Sequence, residues 1–234
     1  MGAFLRVAVG LFLQMVIASN MSAAELLPPL AKYVEARIAE FEEIPAERRE
    51  RLLEIAEYVR SPREADAPGR LTFICTANSR RSQLGQAWAA VAAARYGVDG
   101  VEAFSGGTEA SAFNPRTIAA LERAGVAIEG ALTANNMPDN PRYSLLISQK
   151  QDPQVFFSKR YDERPNPQKG FCAIMVCSEA DESCPNVPGA NARVSLPYDD
   201  PKAADGTPEE ARVYDERCAQ IAREMLFVFS QAAK

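Results

Sequence analysis

Cys75-Thr76-Ala77-Asn78-Ser79-Arg80-Arg81-Ser82 brings together a thiol, small polar residues, two guanidinium groups and a hydroxyl. An apolar run, Leu71–Ile74, precedes it, and Ser82–Tyr96 follows with Leu84, Ala87, Trp88 and Val91 on one helical face. A thiol attacks as thiolate, and a free cysteine, with a pKa of about 8.5, is mostly protonated at neutral pH. A helix N-terminus carries about half a positive charge and several unpaired N–H groups. A cysteine ending the strand and facing the helix sits in that field. The amides of Thr76, Ala77, Asn78, Ser79 and Arg80 can then curl around a tetrahedral oxyanion. Arg81 is placed to bind two of its oxygens, and Ser82 to donate to the Cys75 sulfur. The competing reading is a buried cysteine at a strand end beside ordinary surface arginines.

Composition sharpens the choice. The 234 residues contain no histidine, which removes Ser-His-Asp and Cys-His catalysis and the usual histidine-bearing metal sites. Any nucleophile must be activated without imidazole, as the cradle does. A net charge of −5 and the lack of a long basic track argue against nucleic acid as a partner. Five cysteines, an odd count, do not read as a disulfide scaffold.

The elements that must hold this loop can be traced along the chain. Residues 1–24 read either as a secretory leader cut after Ala24 or as residues upstream of a start at Met21. Their apolar run, Val7–Ala18, is too short to span a bilayer, so no stable membrane insertion is expected. A thiol that must stay reduced favours the cytoplasm; a true leader would place the protein in the periplasm or outside the cell. Residues 25–62 read as a two-helix extension, with Leu30, Tyr33, Val34, Ile38 and Phe41 at helical spacing and a break at Glu43-Ile44-Pro45. Ser61–Gly69 is a linker, and residues 68–234 form the catalytic unit.

In that unit the strands Leu71–Ile74, Val101–Phe104, Phe171–Cys177 and Ala192–Leu196 alternate with helices. Asn114-Pro115 opens one helix that Gly125 closes, Gly97 caps another, and Thr207-Pro208-Glu209-Glu210 reads as a capping box starting the last. Tyr143–Ser148 is a candidate strand, and Gln149–Lys169 reads as an insertion near the site. The expected fold class is α/β: a three-layer, four-stranded parallel sheet of flavodoxin-like type with an N-terminal two-helix extension.

The segment Cys75–Ser82 resembles the signature of the low-molecular-weight protein tyrosine phosphatase family and its arsenate reductase branch. The similarity extends to Phe104-Ser-Gly-Gly-Thr-Glu109 and Asn114-Pro115 and covers Arg70 to the C-terminus. Arg80 stands where many members carry a second cysteine, so no disulfide inside the loop is implied. In the phosphatases an aspartate directly before proline protonates the leaving group. By that match Asp200, in Asp199-Asp200-Pro201, is the acid, with Asp199 a solvated neighbour.

Two further cysteines separate the branches. Cys177-Ser-Glu-Ala-Asp-Glu-Ser-Cys184 follows the third strand, so Cys177 belongs on the same sheet edge as Cys75. The segment resembles the redox segment of thioredoxin-coupled arsenate reductases. By that resemblance Cys75 attacks arsenate, Cys177 attacks the Cys75 sulfur, and Cys184 moves the disulfide outward. No cofactor is then bound, and an external thiol reductant such as thioredoxin completes the cycle. The alternative is a phosphotyrosine phosphatase acting on a phosphoprotein through Cys75, Arg81 and Asp200 alone. Against it, Lys202-Ala203-Ala204-Asp205-Gly206 offers no ring to sandwich a phosphotyrosine, although Tyr198 and Phe156-Phe157 remain candidate walls. A zinc site of Cys172, Cys177, Cys184 and Cys218 lacks the C-x2-C spacing, and Cys172 and Cys218 read as core thiols. The expected substrate is a small oxyanion, arsenate or phosphate.

Overall fold

The computed structural model describes residues 25–61, 67–132, 139–184 and 186–234. The leader-or-start question at residues 1–24 lies outside them. The chain forms α1 (Pro28–Ile38), α2 (Ala46–Arg60), β1 (Gly69–Cys75), α3 (Arg81–Tyr96), β2 (Val101–Gly107), α4 (Pro115–Arg123), β3 (Ala127–Leu132), β4 (Arg142–Leu146), β5 (Gln154–Phe156), β6 (Phe171–Met175), α5 (Ser178–Ser183), β7 (Ala190–Ser195) and α6 (Glu210–Ala232).

The main sheet runs β2-β1-β6-β7 with every pair parallel. Relabelled along the chain this is the 2-1-3-4 order of doubly wound flavodoxin-like sheets. The two central strands carry near-continuous apolar runs, and all five residues of β6 are buried, as a strand covered on both faces requires. The helix punctuation follows the sequence. Gly97 caps α3 at φ 61°, a left-handed conformation open to glycine, and Asn114 Oδ1 accepts from Arg116 N at 2.9 Å to open α4.

The N-terminal helices do not stand apart. Leu30, Val34, Leu52, Ile55 and Val59 are buried in the same core as the sheet, and Tyr33 stacks on Trp88 of α3 with ring centroids 5.5 Å apart. Phe41, in the 3₁₀ turn between α1 and α2, meets Phe227 of α6 edge-on at 5.6 Å.

Two expectations are corrected. The capping box does not form: Thr207 Oγ1 donates back to Ala204 O at 2.7 Å, and α6 starts at Glu210 with Glu209 as N-cap. The Glu210 carboxylate instead accepts from Gly206 N and pairs with Arg116 Nε at 2.7 Å. β4 falls on the candidate strand Tyr143–Ser148. It pairs with β5, inside the Gln149–Lys169 insertion, and with β3, in a stretch assigned no element, as a second, antiparallel sheet in the order β3-β4-β5. Phe113 and Phe156 stack beneath it with centroids 6.0 Å apart.

Candidate active site

Cys75 is the last residue of β1 and α3 begins at Arg81, so residues 76–80 turn at the C-terminal edge of the sheet. The loop carbonyls all face outward into protein donors. Cys75 O accepts from Thr108 N at 3.0 Å, Thr76 O from Glu109 N at 2.9 Å, and Ser79 O from Asn114 N at 3.1 Å. Ala77 O accepts from the hydroxyls of Ser111 and Ser158 at 2.9 and 3.0 Å, and Asn78 O from Gln83 Nε2 at 3.0 Å. Among the described residues, no protein acceptor takes the amides of residues 76–80. Carbonyls pinned outward leave N–H groups facing the concave side, the arrangement that binds an anion. The fit is tight. A Cβ on Gly107 would come within 2.1 Å of Glu109 O and 2.4 Å of Thr76 O, so β2 can pass the loop only with glycine there.

Inside the loop, Asn78 sets the direction of a hydrogen-bond chain. It is buried at φ 44°, a left-handed conformation that asparagine tolerates better than most residues. Its Oδ1 accepts from Lys159 N at 2.9 Å, which fixes the amide so that Nδ2 donates to Ser82 Oγ at 2.8 Å. The Ser82 oxygen is thereby occupied as an acceptor, and its own proton is available to the Cys75 sulfur 3.0 Å away.

Arg81 is buried, with its guanidinium aimed at the loop after β7. One arm donates to Tyr198 O at 2.9 Å and another to Asp200 Oδ2 at 2.8 Å, while Glu179 lies 4.0 Å off. Asp200 also caps the 3₁₀ turn Pro201–Ala204 by accepting from Lys202 N at 3.0 Å. Arg80 faces another way: its Nε donates to Tyr214 Oη at 3.0 Å and its guanidinium lies 3.7 Å from Asp200, so what it offers an oxyanion is its backbone. The Asp199 side chain is almost fully exposed beside Arg217. Tyr198 and Phe156 are both buried, Tyr198 donating to Glu224 at 2.7 Å and Phe156 stacking on Phe113. Neither stands as a wall at the mouth.

Cys177 is the N-cap of α5, its sulfur accepting from Ala180 N at 3.4 Å and lying 3.6 Å from Thr76 Oγ1. Burial pushes its pKa up; the Thr76 and Ala180 contacts and Arg81 pull it back, and Cys75 adds to the rise. Cys184 is the C-cap of the same helix and is partly exposed. Cys172 and Cys218 are buried, and desolvation pushes both thiols up to about 12.

Ser158 and Lys159 are not among the residues singled out from the sequence, and Phe157, a candidate wall, acts through its backbone carbonyl. Ser158 reaches Ala77 O and Ser111 N, Lys159 supplies the amide that orients Asn78, and Phe157 O accepts from Gln83 Nε2 at 3.0 Å. The insertion is a brace on the back of the loop.

Residues 70–145 match the family described as low molecular weight phosphotyrosine protein phosphatase. An arsenate reductase of Brevibacillus brevis is 31% identical over 149 residues, which are 64% of this chain and 88% of that protein. An arsenate reductase of Halalkalibacterium halodurans is 29% identical over 138 residues, 59% of this chain and 78% of that one. Among solved structures, an arsenate reductase in the phosphate binding state is 17% identical, covering 70% of this chain and 98% of its own, with a TM-score of 0.43.

Proposed function

From a chain that belongs to the low-molecular-weight phosphotyrosine protein phosphatase family, on its arsenate reductase branch, we propose a reduction of arsenate to arsenite by three cysteines in sequence. One observation carries the reading: a second thiol, Cys177, lies against the loop that presents Cys75, and a third, Cys184, ends the helix that Cys177 begins. A phosphatase needs only the first.

The residues divide the work. The amides of 76–80 and the Arg81 guanidinium hold the oxyanion, and Ser82 donates to the sulfur. The Cys75 thiolate bonds to arsenic while an arsenic-bound oxygen leaves as water, its proton supplied from Asp200. Asp200 sits 2.8 Å from Arg81, so acid and oxyanion binder are presented together. Cys177 thiolate then attacks the Cys75 sulfur. The S–S bond forms, the As–S bond breaks, and its electron pair stays on arsenic, which departs as arsenite. Cys184 thiolate attacks Cys177 and releases Cys75 as thiolate. The two thiols that end as a disulfide supply the two electrons, and an external dithiol of the thioredoxin type restores them.

Single-turnover variants test this. With one equivalent of arsenate, Cys184→Ser is expected to release arsenite and accumulate a Cys75–Cys177 disulfide, read by peptide mass. Cys177→Ala is expected to stop with arsenic on Cys75. Full arsenite release by the Cys177→Ala enzyme would refute the relay.

A further inference from the structure

Arg48 of α2 lies before the residues matched to the family, yet it reaches the loop that holds the site arginine. Its NH1 donates to Pro197 O at 3.0 Å, its guanidinium carbon sits 4.5 Å over the Tyr198 ring, and its Nε donates to Glu224 Oε1 at 2.7 Å. Glu224, on α6, is only 2% exposed and takes two more bonds, from Tyr198 Oη at 2.7 Å and Gln220 Nε2 at 3.1 Å. Burial and the adjacent carboxylate push the Tyr198 phenol well above its ordinary range, which keeps it a donor. From the sheet side the same backbone is held by Tyr198 N donating to Val176 O at 3.2 Å. The loop so gripped presents both acceptors that orient Arg81: Tyr198 O and, two residues on, Asp200 Oδ2.

We infer that Arg48 is a positioning residue for oxyanion binding, clamping Pro197 and Tyr198 between α2 and α6 so that the loop aims Arg81 into the cradle. A buried carboxylate needs a cation wherever it stands, and that alone would be a structural pairing. Arg48 goes further, spending its second arm and its flat face on the loop itself. A misplacement of a binding group by about 1 Å is costly at an anion site, where charge-assisted bonds depend on geometry. The inference rests on the oxyanion-site reading of the Cys75 loop.

The test reads oxyanion binding without turnover. Iodoacetamide labels Cys75 in the full-length protein, scored on its own peptide, and inorganic phosphate competes. Arg48→Ala is expected to raise the half-protecting phosphate concentration about tenfold. Ile55→Ala, a buried position farther along α2, is expected to lower the Tm and leave that concentration within about twofold of wild type. Tyr198→Phe, which keeps the ring under Arg48 but removes the hydroxyl's interactions with Glu224 and Arg48, is expected to raise it two- to threefold and decides the matter should Arg48→Ala fail to fold. An unchanged concentration in Arg48→Ala, or an equal rise in Ile55→Ala, overturns the inference while the site reading stands. Absence of phosphate protection in wild type removes the site reading and this inference with it.

Discussion

Cys177 and Cys184 occupy opposite ends of one six-residue helix, α5. At 1.5 Å per residue their Cα atoms lie about 10 Å apart, whereas a disulfide spans about 4.4–6.8 Å. The proposed relay therefore requires α5 to unwind. Holding it wound, Arg193 donates to Asp181 O at 2.8 Å, to the Asp181 carboxylate at 2.6 Å and to Cys184 O at 3.2 Å, and Ser195 Oγ donates to Asp181 at 2.6 Å.

These bonds favour the reduced, helical form, so Arg193→Ala is expected to make the Cys177–Cys184 disulfide harder to reduce. Partly exposed charge-assisted bonds worth about 1–2 kcal/mol correspond to a fall in potential of about 20–40 mV. Equilibration against defined dithiol ratios measures it. A variant that loses Tm without any change in potential would show that α5 is held by something else.

In the proposed relay, the raised pKa of Cys177 gives the second step a pH dependence of its own. Its thiolate fraction climbs roughly tenfold per pH unit below the pKa, so arsenite release in a single turnover is expected to keep accelerating above the ordinary thiol range of about 8.5. Stopped-flow arsenite detection from pH 7 to 10 would display the climb. A plateau near neutral pH would mean that another step limits release.

Asn78 carries both a strained backbone and the amide that orients Ser82. Asn78→Ala is expected to cost about 2–4 kcal/mol in urea unfolding, from lost buried hydrogen bonds and a left-handed φ. Asn78→Gly should recover about 1 kcal/mol of that by relieving the backbone. Both should alkylate more slowly at Cys75, because Ser82 is no longer aimed at the sulfur. Wild-type reactivity in the glycine variant would remove the Asn78–Ser82–Cys75 chain from the mechanism.

Lys159 is buried, its ammonium lying 4.8 Å over the Phe157 ring and 3.4 Å from Phe157 O, and desolvation lowers its pKa to about 8. In the unfolded chain it titrates near 10.4. Between those values the unfolded state holds the proton that the native state has shed, so this group's contribution to stability rises with pH. Lys159→Met is therefore expected to exceed wild type at pH 7, on the order of 2–3 kcal/mol, with the gap closing toward pH 10. Urea unfolding at the two pH values reads it; a gap that ignores pH contradicts the assignment.

What could be read from the sequence was local. The Cys75–Ser82 loop, the Gly97 and Asn114 caps and the apolar runs of β1 and β6 each announce themselves within a few residues. Ser158 and Lys159 act on the loop across a separation of 81 residues, one through a hydroxyl and the other through a backbone N–H that no side chain betrays. β3 and β5 owe their existence to pairing with β4, a non-local gain that weakly patterned segments do not advertise. Thr207 has the right neighbours for a cap, but its hydroxyl donates back to Ala204 O instead.

Arg48 and Glu224, whose side chains meet at 2.7 Å, are separated by 176 positions. A ribosome making this protein would have delivered Cys75, Arg81 and Asp200, the proposed nucleophile, oxyanion binder and acid, before residue 201, with Glu224, the second half of the proposed clamp, still untranslated. Under the proposed function, tight anion binding would wait until α6 has been made and has docked.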